Sequence, residues 1–466
     1  MFAVNRKEKG IMAEKPMEKT ECIDLLTAQA VSISLETLPP SVVHAARRVL
    51  VDALAVILAA APDPRVASLA KRMAAASTDG CSAMPGTGLR ADASWAALFS
   101  GTAGAWHEYD PGHRFSGGHP AVPCVAAAWA VAERQGASGK ALLEAIIAGY
   151  ECAARVGLGT TLRPGMTVRG SWPMVGAAAA VGRLMGYDAE RLKTTVNVST
   201  TLNLATSSRA ALEGATVRNV YDGFNAAAGV LAGDLVGDGM TAERDGVATV
   251  FGTLAGVYFD PDKALEGLGT RWEIARGYHK RMPCARCLHP ALDALNDALK
   301  GRDVSPEEVL RVEVETYGMA AAMSLMVPEN GLAAKHSLPH AVAACLVRKR
   351  ADLEAFSDEA ARDPSVREIA KRVVVREDPA LAARTPAERP ARAALFLKSG
   401  EVIRRSASLP RGECDFDPLG DDELTDKFRC LAAASLPEER IAPALESLWR
   451  VESLPDIREL ATLLGK

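Results

Sequence analysis

The chain has 466 residues, 48% of them hydrophobic, and a formal net charge of −4. That is more than one core comfortably holds, so two domains are expected, and the acidic balance offers no basic face for nucleic acid. Nine cysteines, an odd number spread along the whole length, fit reduced thiols of a cytoplasmic protein better than a disulfide framework.

From Met1 to about Lys19 the chain is charged and lacks an apolar signal core, and Met12 offers a second start. The apolar run Val49 to Ala61 contains Asp52 and is too short to span a bilayer, which needs about 20 apolar residues. It reads as a buried helix following Pro39-Pro40-Ser41. From Ala91 to Ala132 the pattern is a small-residue helix, a polar loop and a second small-residue helix. Ser138 is placed to cap a helix from Gly139 to about Val156, with Leu142, Leu143, Ile146, Ile147 and Tyr150 as its apolar stripe. After Arg169-Gly170-Ser171-Trp172-Pro173 comes another tightly packed helix around Gly176 to Ala180, and Asp188 caps the next. To about residue 270 no stretch reads as a sheet.

The character changes near Tyr278. Leu310 to Tyr317 alternates with period two, as do Val373 to Arg376 and Ala393 to Ser406, the last with a turn at Ser399-Gly400. With helices starting at Pro290 and near Ser337, these strands predict a smaller α+β unit. The helical pattern returns from Asp422 to Leu464. The expected fold is therefore mostly α: a large helical domain built from residues 1–275 and 409–466, with an α+β lid inserted at 276–408.

The polar loop, Trp106 to Pro120, holds His107, His113, His119, Glu108, Asp110 and Arg114 between apolar helices. Such groups are costly to bury unless they pair or meet a ligand, so the loop is a candidate pocket floor. Seven of the eight histidines fall in three short segments, the others being His279/His289 and His336/His340. Either the segments converge on one site, or these are loop and core histidines with unrelated partners.

Other motifs carry less. Cys284, Cys287 and His289 resemble half a zinc site without a second half, and Gly157-Leu158-Gly159 follows a helix where a dinucleotide fingerprint would follow a strand. No serine nucleophile elbow is present.

Several stretches together resemble the MmgE/PrpD family. They are Ser100-Gly101-Thr102-Ala103 through His119-Pro120, Ser138 to Leu143 with Gly149-Tyr150-Glu151, Lys280-Arg281-Met282-Pro283-Cys284, Lys335-His336-Ser337-Leu338-Pro339, and Pro418-Leu419 to Lys427-Phe428. The resemblance spans nearly the whole chain. It implies a cytoplasmic homodimer that uses neither metal nor cofactor, and a helical domain with a central lid. Family members include 2-methylcitrate dehydratase, cis-aconitate decarboxylase and an iminodisuccinate epimerase. A lyase acting on a small di- or tricarboxylate by proton transfer next to a carboxylate is thus expected, with an epimerase or a catalytically silent carboxylate-binding homologue as alternatives. No nucleic-acid or membrane partner is implied.

By the same resemblance, His119 is the acid/base, Glu108 and Asp110 orient or tune the histidines, and Lys280 is the catalytic lysine of the lid. Arg218 stands where the family often has a lysine and is expected to clamp a carboxylate, for which its planar fork is suited. His113, Trp172, Tyr221, His289, Lys335 and Ser337 complete the expected substrate contacts. Gly112, Gly170, Tyr221 and His340 depart from the family's usual threonine, histidine, histidine and tyrosine. The segment between Asp110 and His119 is also one residue longer than the decarboxylase pattern. A site built to hydrogen-bond one substrate rejects analogues, so these departures imply a substrate other than methylcitrate or cis-aconitate.

Overall fold

The computed structural model describes residues 21–465. The charged segment Met1 to Lys19 and the alternative start at Met12 lie outside the described residues.

The centre of the helical part is Pro40–Ala60, in which every residue from Val49 to Ala60 is buried. Proline at its first position costs nothing, because that N–H has no helical partner in any case. An apolar surface on all sides requires neighbours on all sides. These come from Ala93–Trp106, Ala121–Gln135 and Gly139–Gly159, and from Asp421–Ala432 and Glu438–Trp449 near the other end of the chain. The largest apolar cluster accordingly runs from Cys22 to Ile274 and resumes from Leu424 to Leu464. Ser138 Oγ accepts from the Ala141 N–H at 3.2 Å and Asp188 Oδ1 from Arg191 at 2.9 Å, so both expected caps form.

Small residues set how closely the helices cross. A Cβ built on Gly176 of Pro173–Leu184 would lie 2.6 Å from the Gly149 carbonyl oxygen of Gly139–Gly159. Only glycine lets these two backbones touch.

A second apolar cluster runs from Met282 to Ile403. It lies under a four-stranded sheet whose order is Val373–Glu377, Val309–Thr316, Ala391–Leu397, Val402–Ala407. The first pair is parallel and the other two are antiparallel. Helices His289–Leu299 and Leu338–Arg348 cover it. Ser337 caps the second of these, its Oγ accepting from His340 N–H at 3.1 Å.

Two features differ from expectation. Leu310 is 60% exposed, because the register shifts between Val309 and Arg311 and turns Leu310 away from the core. Short strand pairs also occur where no sheet was expected: Ser82–Met84 with Leu89–Ala91, and Thr160–Leu162 with Gly256–Phe259. Three or four residues are too few to display a period of two. No helix among the described residues is long and apolar enough to cross a membrane, and all nine cysteines are free thiols.

Candidate active site

The polar loop begins where Ala93–Trp106 ends. Glu108 takes a left-handed conformation, φ 54°, which a residue with a side chain adopts only where its surroundings hold it there. They do: Lys280 Nζ donates to the Glu108 carbonyl at 2.7 Å and to its Oε1 at 3.1 Å. The chain then turns twice more. Gly112 pairs with Tyr278, and His113 with Gly118. His119 emerges just before helix Ala121–Gln135.

Around this turn lies a dense ion cluster. His119 Nδ1 is 2.8 Å from Asp110 Oδ2 and 3.2 Å from the Pro111 carbonyl. Asp110 also accepts two hydrogen bonds from Arg169 Nη2, at 2.9 and 3.0 Å, and stands 3.7 Å from Lys280 Nζ. The other guanidinium nitrogen of Arg169 is bonded to Asp222. Arg218 is bonded to Glu108 Oε2. Three cations thus meet three carboxylates, every one of these six residues at least 95% buried.

Proton affinities follow from that arrangement. Burial opposes ionisation of Asp110, but Arg169, His119 and Lys280 together hold it below the usual carboxylate range. Glu108 is likewise held well below it: burial is outweighed by Arg218, Lys280 and Arg169. Asp222 goes the other way. Burial and the neighbouring Asp110 push it up to about 6 against the pull of Arg169. Burial, reinforced by Arg169, lowers His119 to about 4 in spite of Asp110. His119 is therefore a neutral imidazole at pH 7. With Nδ1 directed at Asp110 and Pro111, its proton is held there, and Nε2 is the ring's free lone pair. That nitrogen makes no hydrogen bond to any described residue.

The expected site residues divide into two groups. Glu108, Asp110, His119, Arg218 and Lys280 come together from three separate stretches. His336 joins them, near Glu108 and Arg218 and with Nδ1 3.0 Å from the Leu332 carbonyl; burial lowers it to about 4. The rest have other surroundings. His113 is fully buried with Nε2 3.1 Å from Glu273 and Nδ1 3.0 Å from Ser116, holding the loop shut. Trp172 fills the space beside Gly118 and Gly157. Tyr221 begins helix Tyr221–Gly237 beside Gly170. His289 lies between Arg286 and the Cys284 carbonyl, at 3.2 and 3.4 Å. Ser337 is occupied as a helix cap and by the Leu325 carbonyl. Lys335 donates to the Phe356 carbonyl at 3.2 Å and has no carboxylate partner among the described residues; burial pulls it down to about 8. Cys284, Cys287 and His289 form no ligand group, and none of three or more candidate metal ligands occurs among the described residues.

Sequence reasoning passed over Arg169 and Asp222. Both lie inside stretches read as motifs, each just ahead of or within a helix rich in alanine and glycine. A lone charge at such a position has few ways to stay in water, and that was the available signal.

Fold and site together define a mostly helical protein with a small mixed sheet and a buried Asp–His pair set among arginines and a lysine. Models of two protein families match consecutive parts of the chain: the MmgE/PrpD N-terminal domain over residues 25–266 and the MmgE/PrpD C-terminal domain over 282–450. The chain belongs to the MmgE/PrpD family. It is also similar to the cis-aconitate decarboxylase-like protein oryM of Aspergillus oryzae, at 24% identity over an alignment of 464 residues covering 92% of this chain and 94% of the relative.

Proposed function

We propose that this protein is a lyase of the dehydratase or decarboxylase type, acting on a small di- or tricarboxylate by proton transfer at the carbon next to a carboxylate. Family membership and the decarboxylase-like relative support the general class. The observation that carries the finer reading is the Asp110–His119 pair, with Nδ1 committed to the chain and Nε2 uncommitted.

A carbon acid beside a carboxylate loses its proton only to a base already close and correctly ionised. His119 meets the second requirement, since burial keeps it neutral. When Nε2 takes the proton, the ring becomes cationic, and the Asp110 carboxylate 2.8 Å away stabilises that charge as it forms. In a dehydration the imidazolium then returns the proton to the leaving hydroxyl; in a decarboxylation no substrate proton is removed first, and the ring, having taken a proton from solvent, delivers it to the carbon left by departing carbon dioxide. An incoming carboxylate assists by raising the imidazole's proton affinity. Lys280 has a different part: its ammonium is spent on Glu108 and Asp110, so it fixes the loop and does not reach for substrate.

We further propose that residues 276–408 act as a lid on a helical domain formed by 1–275 and 409–466, and that the protein is a cytoplasmic homodimer. The separation of the two large apolar clusters supports the first of these.

The test is incubation with succinate, citrate, cis-aconitate and related acids in deuterium oxide, followed by mass spectrometry. Deuterium uptake or loss of water or carbon dioxide by wild type, absent in His119→Ala, is expected. Binding of an acid without any exchange or mass loss would instead mark a silent carboxylate-binding homologue.

A further inference from the structure

The cations of the ion cluster cannot serve a substrate as they stand. Arg169 carries Asp110 and Asp222, Arg218 carries Glu108, and Lys280 carries Glu108 and Asp110. A substrate carboxylate arriving there would have to displace a buried carboxylate of the chain, stranding a charge. A dicarboxylate needs a cation elsewhere.

One stands on the sheet side of the loop. Arg389 lies just before strand Ala391–Leu397 and is half-buried. Among the described residues its guanidinium forms no ion pair and one side-chain hydrogen bond, a long one, 3.5 Å from Nη2 to the Arg114 carbonyl. Glu413 is the nearby carboxylate, and it is taken by Arg286 at 3.0 Å, with Arg114 at 3.7 Å. Tyr317, Cys287 and Tyr278 also stand around Arg389, and burial raises the hydroxyls of both tyrosines. Tyr317 is brought there by the sheet: Thr316 pairs with Ala391, and its Oγ1 bonds the Pro390 carbonyl at 2.9 Å. The Tyr317 hydroxyl is buried and has no hydrogen-bond partner among the described residues. An unpaired guanidinium and an unsatisfied hydroxyl side by side are what a carboxylate would satisfy together.

Arg389 and the base share a neighbour, Tyr278. Tyr278 presents its ring edge-on to His119, centroids 6.2 Å apart at 83°, and Arg389 flanks the same tyrosine. Arg114, whose carbonyl Arg389 touches, belongs to the loop that ends in His119.

We propose that Arg389 and the Tyr317 hydroxyl form the carboxylate subsite of this enzyme, anchoring one end of the substrate so that its reacting carbon faces His119 Nε2. This rests on the polycarboxylate reading above. It assigns recognition to the sheet-bearing unit and leaves Arg218 as a support for Glu108.

The experiment compares wild type, Arg389→Gln, Arg389→Lys, Tyr317→Phe and His119→Ala by thermal shift and calorimetric titration against succinate, fumarate, citraconate, citrate, cis-aconitate and tricarballylate. At least one acid is expected to stabilise wild type and His119→Ala alike. For that acid Arg389→Gln should bind about tenfold to a hundredfold more weakly, with Arg389→Lys and Tyr317→Phe in between. In turnover, Arg389→Gln should raise KM with little change in kcat, and His119→Ala should do the reverse. Arg389 makes a single weak hydrogen bond, so the unliganded melting temperature of Arg389→Gln should match wild type; were it not to fold, Arg389→Lys and Tyr317→Phe decide the matter by the same readouts. If an acid binds wild type and these variants equally, the subsite is wrong while the proposed function stands. If no acid in the panel binds wild type, the polycarboxylate reading falls, and the subsite with it.

Discussion

His119 and Asp110 lie nine residues apart and meet at 2.8 Å, Nδ1 to Oδ2, across a loop whose two turns are pinned by Tyr278 and by Gly118. The contact orients the ring, fixes its tautomer and supplies the counter-charge for its protonated form.

Replacing His119 by alanine should cut turnover by about a hundredfold to ten-thousandfold, the usual worth of a positioned acid/base. Asp110→Asn should cost less, about tenfold to a hundredfold, because the Pro111 carbonyl still accepts from Nδ1 at 3.2 Å. Steady-state rates with the substrate found by the deuterium screen check both, and equal rates for wild type and His119→Ala would remove the acid/base assignment.

Arg169→Gln leaves Asp110 and Asp222 facing each other without their shared cation. Breaking a buried ion pair from one side costs about 3–5 kcal/mol. Adding Asp222→Asn to the same chain removes one of the stranded charges and should recover part of the loss. Urea unfolding of the single and double variants measures this.

Lys427 ties the C-terminal helices to the site. Its ammonium is 2.7 Å from Asp52 Oδ1 and donates to the carbonyls of Tyr109 and Lys280, each at 3.0 Å. Asp52 in turn holds His279 at 2.7 Å. Lys427→Met should destabilise the chain by about 3 kcal/mol, through an Asp52 that keeps His279 but loses its cation and through two freed carbonyls. It should also slow turnover, since both carbonyls adjoin residues of the ion cluster. Normal activity at normal stability would show that the anchor is dispensable.

Stability should fall as the pH drops from about 6.5 to 5. Burial lowers seven of the eight histidines, His107, His119, His336 and His340 to about 4 each and His113, His279 and His289 as well. In this window the unfolded chain takes up protons on them, near their ordinary value of about 6.5, whereas the folded chain leaves the four at about 4 largely neutral and protonates the other three less readily. Burial raises Glu133, Glu151, Asp222 and Asp293, which bind protons in the folded state and oppose the trend. Histidines outnumber these carboxyls, so the unfolded state gains more protons and the melting temperature should decline; a scan at pH 6.5, 6 and 5 would show it, and a rise would contradict the sign.

Much of this molecule is legible in one dimension. The run Val49 to Ala60 has no polar face on which to rest in water, so it is a core helix; the alternation after Val309 gives a strand; Ser138 and Asp188 give caps through their own hydroxyl or carboxylate. These are local consequences of side-chain chemistry and backbone period. The polar loop is likewise conspicuous, because charges between apolar helices need partners.

Which partners they find is not local. His113 and His119 sit in one loop and look alike in sequence, yet one meets Glu273 and the other Asp110. Arg218 suits a substrate clamp until Glu108, more than a hundred residues earlier, is found against it. Arg389 stands out for the opposite reason, that it forms no ion pair with any described residue. Pairing among buried charges depends on distances of 3 to 4 Å between residues far apart in the chain, and low-dielectric surroundings make each such distance decisive. The sequence by itself determined the helices, the sheet and the polar loop; only the tertiary structure decided which charges are spent on the protein and which are left for a ligand.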